Sequence, residues 1–217
     1  MNKVFAPGCA LILYKPQIVS RLQEFLEKKF GDLPQHLICC HHEPHLSKGT
    51  TIINVCSGCD KRFRSLYEGL TVLSLWEVLL EDDTFPFPDY GGRVMSIHDA
   101  CPIRTEARVH NAVRKLLQKM NIVLVEPAQT RSESVCCGDS YYPNAPIDEI
   151  RGRMRSRAQS MPCDDVVVYC VSCIKSMDIG GKKPHYLLDL LFGEDTIPGE
   201  TNTKIWHEQL ERFIEAH

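Results

Sequence analysis

The run Asp165-Val166-Val167-Val168-Tyr169-Cys170-Val171-Ser172-Cys173 decides the fold. Its short, β-branched apolar core reads as a buried strand, and it ends directly on a Cys-x-x-Cys. A Cys-x-x-Cys after a strand lets two sulfurs reach one centre, because the turn points both side chains inward. Upstream stand Cys136-Cys137-Gly138 and, before them, His98-Asp99-Ala100-Cys101 at the end of another strand-like run, Arg93-Val94-Met95-Ser96-Ile97. Five thiols thus follow a fixed order: one alone, an adjacent pair, then a Cys-x-x-Cys. The sulfurs of an adjacent pair diverge, so they suit a ligand with several metal atoms better than a single ion. Five thiolates also exceed the four that close a tetrahedral zinc site, whereas soft thiolates in number suit iron–sulfur clusters.

The same order occurs earlier. Cys9 stands alone, Cys39-Cys40 are adjacent, and Cys56-Ser57-Gly58-Cys59 follows the β-like run Thr51-Ile52-Ile53-Asn54-Val55. Behind each Cys-x-x-Cys comes a similar helical phrase, residues 75–82 and 187–194. An amphipathic segment follows each lone Cys, residues 16–29 and 104–119. These coincidences read as an internal duplication. The boundary falls at Phe85-Pro86-Phe87-Pro88-Asp89-Tyr90-Gly91-Gly92, where two prolines exclude a helix and paired glycines loosen the chain. The expected repeats are residues 1–90 and residues 91–217, the second with a closing helix over 202–216.

Strands are expected near 4–6, 51–55, 93–98, 122–125 and 165–169. Helices are expected at 16–29, 60–81, 104–119 and 146–160. Alternation of strand and helix in both halves argues for an α/β fold with parallel strands, as two small sheets related by a pseudo-twofold axis. In such sheets ligands sit beyond the carboxyl ends of strands. Cys56, Cys101 and Cys170 obey this, so each metal centre should lie at the carboxyl edge of its own sheet, the two edges facing one another.

Composition bounds the function. The 217 residues are 43% hydrophobic with a net charge of −3, and the basic residues are scattered, which gives no footprint for nucleic acid. No apolar run approaches the roughly 20 residues of a membrane span. Cys9 comes too early for a removable signal peptide, and eleven cysteines without one point to a reducing, cytoplasmic setting and to metal ligation instead of disulfides. Ten fall into the two motifs; Cys163 is left over as a bystander. No Gly-x-Gly-x-x-Gly loop is present, so electrons must come from a flavin or ferredoxin-like partner subunit.

The doubled pattern over roughly residues 3–195 resembles the cysteine-rich CCG domain family, whose best-known member type is the cysteine-rich subunit of heterodisulfide reductase. The resemblance implies a noncubane 4Fe–4S cluster at each motif and disulfide reduction or electron transfer as the chemistry. Its implied ligands are Cys9, Cys39, Cys40, Cys56 and Cys59, then Cys101, Cys136, Cys137, Cys170 and Cys173. The substrate would be a small disulfide or thiol. Relatives also serve as subunits of hydroxy-acid and related dehydrogenase systems, so a pure electron relay is an alternative.

The first motif departs from the family pattern. Fifteen residues separate Cys40 from Cys56 against thirty-two between Cys137 and Cys170, so a helix is missing, and His41 stands where the second pair has Gly138. Zinc at that site, or a zinc-stabilised assembly module, is the competing assignment. Beside the sulfurs, His98 is expected as a hydrogen-bond donor that tunes the centre. Gly138 is expected to supply a positive φ or a close backbone approach. His41, His42 and His45 form a polar loop, with His41 the candidate nearest the sulfurs. The arginines at 151, 153, 155 and 157 read as a solvated helix face.

Overall fold

A computed structural model describes residues 2–217. Two all-parallel sheets carry the chain. The first, in the order β1-β2-β3, joins β1 (Lys3–Ala6), β2 (Thr51–Asn54) and β3 (Thr71–Ser74). The second, in the order β5-β4-β6-β7, joins β4 (Arg93–His98), β5 (Ile122–Val125), β6 (Asp165–Val168) and β7 (Lys183–Tyr186). Parallel strands need helical crossovers. In the first half these are α1 (Cys9–Tyr14), α2 (Pro16–Phe30) and α3 (Ser57–Leu66), and α4 (Leu75–Leu80) follows the last strand. The second half has α5 (Ala107–Lys119), α6 (Ile147–Gln159), α7 (Val171–Ile179), α8 (Leu187–Phe192) and the closing α9 (Thr203–Ala216). The α/β class with parallel strands is as expected.

Helix α2 forms where the sequence places it. Pro16 opens it, Ile18, Leu22 and Leu26 bury one stripe, and Gly31 ends it at φ 78°. Helix α5 buries Val109, Val113, Leu116 and Leu117 in the same way. It packs on α4, so one buried core runs through both halves. Polar clamps cross the same junction: Tyr14 donates to Asp189 Oδ2 at 2.7 Å and Lys15 Nζ to Asp189 Oδ1 at 2.7 Å.

The expected helix 60–81 is not one helix. It breaks after Leu66, turns through Gly69 at φ 80°, and enters strand β3 before α4 begins. Tertiary pairing of Thr71–Ser74 with β2 overrides the expected helix, and Leu66 is exposed. The start of α4 is marked by a capping box, in which Ser74 and Glu77 satisfy each other's backbone N–H groups. Strand β7 has no expected counterpart either. Its Lys-Pro-His-Tyr sequence is polar and contains proline, which a sheet tolerates at its edge, where β7 lies. The expected helix 104–119 starts late, at Ala107, after a single 3-10 turn over Cys101–Ile103. Between Cys40 and β2 there is no helix, whereas α6 fills the equivalent stretch between Cys137 and β6.

Candidate metal centres and a shared cavity

Four of the motif cysteines sit where a parallel strand stops. Cys9 and Cys101 follow β1 and β4, and Cys56 and Cys170 are the residues capping α3 and α7 at the ends of β2 and β6. The pairs Cys39-Cys40 and Cys136-Cys137 come in on loops. Within each set the thiols neighbour one another in the same order. Cys9 touches Cys39, Cys39 touches Cys40, Cys40 touches Cys59, and Cys59 touches Cys56. The second set runs Cys101, Cys136, Cys137, Cys173, Cys170. All eleven cysteines are free thiols.

These contacts polarise the sulfurs. Contact with Cys39 and burial push the Cys9 thiol far up, while contacts with Cys40 and Cys9 pull Cys39 down to about 2. Cys101 and Cys136 form the equivalent pair, pushed in the same opposite directions. Cys56 falls to about 7 through contact with Cys59, helped by the backbone N–H groups of Cys59 and Gly58. Cys136 Sγ also meets Ser140 Oγ at 2.9 Å and accepts from the Gly138 N–H at 3.3 Å.

Two glycines beside the motif cysteines allow close packing, Gly138 against α6 and Gly8 against Cys56. At Gly138, φ is 108° and an added Cβ would lie 2.9 Å from both Met154 Cγ and the Met154 nitrogen. The positive φ and the close approach expected there are both present. Gly8 was not singled out by the sequence; its φ is 81° and a Cβ would lie 2.9 Å from Cys56 Cβ. The signal available was its place directly before Cys9.

His98 is buried, with Nε2 lacking a protein partner, and this ring lies with Cys137 and Cys173 so that their ligand atoms are within 4.8 Å of one another. Three donors this close could hold a metal ion. Burial first, and then Arg157, push His98 down to about 3. Its neighbour Asp99 accepts from Arg114, Tyr169, Thr130 and the Arg131 backbone N–H. Burial alone would raise that carboxyl, but His110, Arg114 and Tyr169 hold it far below the ordinary range. This hub fixes the β4 end that carries Cys101.

Arg157 corrects the expected solvated arginine face. Arg153 and Arg155 are exposed, but Arg157 is buried and its Nε donates to His98 Nδ1 at 3.1 Å. The clue was spacing, since residue 157 falls on the same helix stripe as Ile150 and Met154. His36 was also missed: it is buried, its Nε2 has no partner, and it lines a small cleft with Cys9, Cys39, Cys40 and Cys59. His41 lies at the first set, its backbone N–H bonded to Cys39 and its side chain on the main cavity. His42 instead turns away, its Nε2 2.8 Å from the Ile214 carbonyl oxygen.

The two sets meet at one cavity of about 610 Å³. Nine of the ten motif cysteines line it, all but Cys39. Leu11, Val55, Leu210 and Ile214 give it apolar walls; Arg62 and His41 stand at the first set, Asp139 and His207 at the second. Helix α9 forms one wall. It is pinned at Trp206, whose Nε1–H donates to Ser172 Oγ at 3.2 Å, inside the second Cys-x-x-Cys. Asp139 pairs with buried Lys175 at 3.0 Å and with His207 at 3.3 Å, and His207 stacks on Tyr142.

The donor sets can be tested against an iron–sulfur cluster. Four sulfurs around one zinc, each about 2.3 Å from it, would lie within roughly 4 Å of each other. Among the described residues no three of the sulfurs meet a 4.8 Å limit together; only His98 with Cys137 and Cys173 does. Five sulfurs in series fit a ligand of several metal atoms, and a Cβ at Gly8 would lie 3.5 Å from Cys59 Sγ. Among the described residues no helix is long and apolar enough to cross a membrane. In comparisons with known proteins, no family model matches the chain, and no curated protein does.

Proposed function

We propose that this chain is an iron–sulfur redox subunit that reduces, or in reverse forms, a disulfide in the cavity between its halves. The observation that carries the reading is the single cavity onto which both sulfur arcs open. Cleavage of a disulfide takes two electrons and two protons and gives two thiols. A 4Fe–4S cluster in each arc would supply electron transfer one at a time, so two centres on one cavity match the two-electron demand. The equal order of strand, sulfur and helix in the halves supports an internal duplication behind that pairing.

The chain's own residues set the conditions. The arcs hold the ligands at fixed strand ends, and the apolar walls keep water from the reacting sulfurs. A flavin or ferredoxin-like partner subunit delivers the electrons, and the substrate is a small disulfide or its thiols. Zinc, expected at the first site, is the second assignment, though among the described residues the close donor group is His98, Cys137 and Cys173 in the second set.

Disulfide turnover by the anaerobically purified protein, driven by a reduced iron–sulfur donor or run backward with dithiols, tests the reading. Cys40→Ser and Cys137→Ser should each abolish turnover, because serine keeps the volume but offers iron a harder ligand. Near-normal turnover by Cys40→Ser with its second centre intact would rule out a site shared by both arcs. Loss of only the coupled activity with the partner, and no disulfide turnover in the wild type, would identify an electron relay instead.

A further inference from the structure

Arg157 carries a charge that its bonding partners do not balance. It is 4% exposed, and its bonds go to neutral groups: His98 Nδ1 at 3.1 Å, Ser160 Oγ at 3.2 Å and the Gln129 carbonyl oxygen at 2.8 Å. Among the described residues no carboxylate forms an ion pair with it. Asp99 is near, but its oxygens are occupied by Arg114, Tyr169 and Thr130. A buried cation without an anion is costly. The sulfurs of Cys137 and Cys173 lie within 4.8 Å of a ring nitrogen of His98.

The bond from Arg157 also fixes where the His98 proton is. A guanidinium is always protonated, so its Nε–H takes the lone pair of Nδ1. The ring must then carry its single proton on Nε2, a buried atom without a protein partner, and this ring stands beside Cys137 and Cys173. A ring nitrogen that keeps its proton has no lone pair for a metal.

We propose that His98 is an N–H donor to the second set of sulfurs and not a ligand, and that through it Arg157 makes the second centre the one that holds an added electron. In the first half the buried His36 stands beside the sulfurs, and among the described residues no arginine bonds to it. Three residues before Cys101 stands His98, but three before Cys9 stands Ala6. Arg62 reaches the first set only at the carbonyl oxygen of Cys40, 3.0 Å from its Nε. The electronic part of this inference rests on the proposed iron–sulfur function; the proton position does not.

Two readouts on the full-length, metal-loaded protein separate these parts. Ring nitrogens of ¹⁵N-histidine-labelled oxidised protein, with His98 assigned by its absence in His98→Phe, should show the proton on Nε2. In redox titrations followed by electron paramagnetic resonance, Arg157→Gln should lower the midpoint potential of the second centre and leave the first unchanged, while Arg157→Lys keeps most of the wild-type value. Should Arg157→Gln fail to hold metal, His98→Phe makes the same comparison. A proton on Nδ1 with Nε2 bound to metal overturns the inference, whichever metal is present. Equal shifts at both centres, or none at either, overturn the role of Arg157. If the protein carries only zinc, the proposed function fails, and the ring proton alone decides whether His98 donates or ligates.

Discussion

Gly138 shows how much can rest on one residue without a side chain. With φ at 108° and the Met154 backbone nitrogen 2.9 Å from where a Cβ would be, Gly138→Ala must strain the turn or push α6 away. Holding a non-glycine residue there costs about 1–3 kcal/mol. The variant should unfold at lower denaturant concentration and lose metal from the second site first; an unchanged midpoint would show that the turn relaxes freely. Its role was legible because a glycine directly after a cysteine pair has few other uses. Arg157 was not legible in that way. A run of alternating arginines on a helix looks solvated, and only the register of Ile150 and Met154 turns the last one inward. His36 gave no sequence signal, since it reaches the first sulfurs from a loop that bridges to β1 only at Gln35.

At the scale of elements, strand ends were readable and crossovers less so. Val166-Val167-Val168 and Ile52-Ile53 are apolar enough to mark buried strands, and the cysteines mark where they stop. Strands β3 and β7 were hidden because Thr71-Val72-Leu73-Ser74 sits inside a helical spacing and Lys183-Pro184-His185-Tyr186 is polar; pairing with β2 and β6 decides them. Asp82, just after α4, ties back to α2. Lys29 donates to its Oδ2 at 2.7 Å and Thr84 to its Oδ1 through both the backbone N–H and Oγ1. Burial alone would raise this carboxyl, but those bonds bring it from an ordinary 3.8 to about 2. A depressed carboxyl stabilises the fold fully above its unfolded value and loses that contribution as pH falls through its folded value. In acid titrations of folding, Asp82→Asn should therefore remove the part of the stability loss between about pH 4 and pH 2; an unaltered acid limb would mean the bonds are not made in solution. Helix α9 yields a different expectation. Only Thr203 and Trp206 of it are buried, so Trp206→Ala should release it from the cavity. Alkylation of the metal-free cavity thiols should speed up several-fold while the main unfolding transition stays in place. Unchanged alkylation would mean that α9 does not guard the cavity.

For the molecule as a whole, the two sheets stand on one core. Lys15 is central to their junction, because its Nζ reaches Asp189 and the Asp195 carbonyl oxygen from the other half at 2.7 and 2.9 Å. Lys15→Met would leave Asp189 buried without its cation, at a cost of about 3–5 kcal/mol. Because the core is continuous, the loss should lower a single melting transition; two separated transitions would show that the halves fold independently. The same junction places both sulfur arcs on one cavity, and everything proposed about function depends on what those arcs hold. The most direct measurement is iron, acid-labile sulfide and zinc per chain after anaerobic purification. About eight irons with matching sulfide are predicted, falling to about four in Cys137→Ser. Stoichiometric zinc with negligible iron in the wild type would contradict the account.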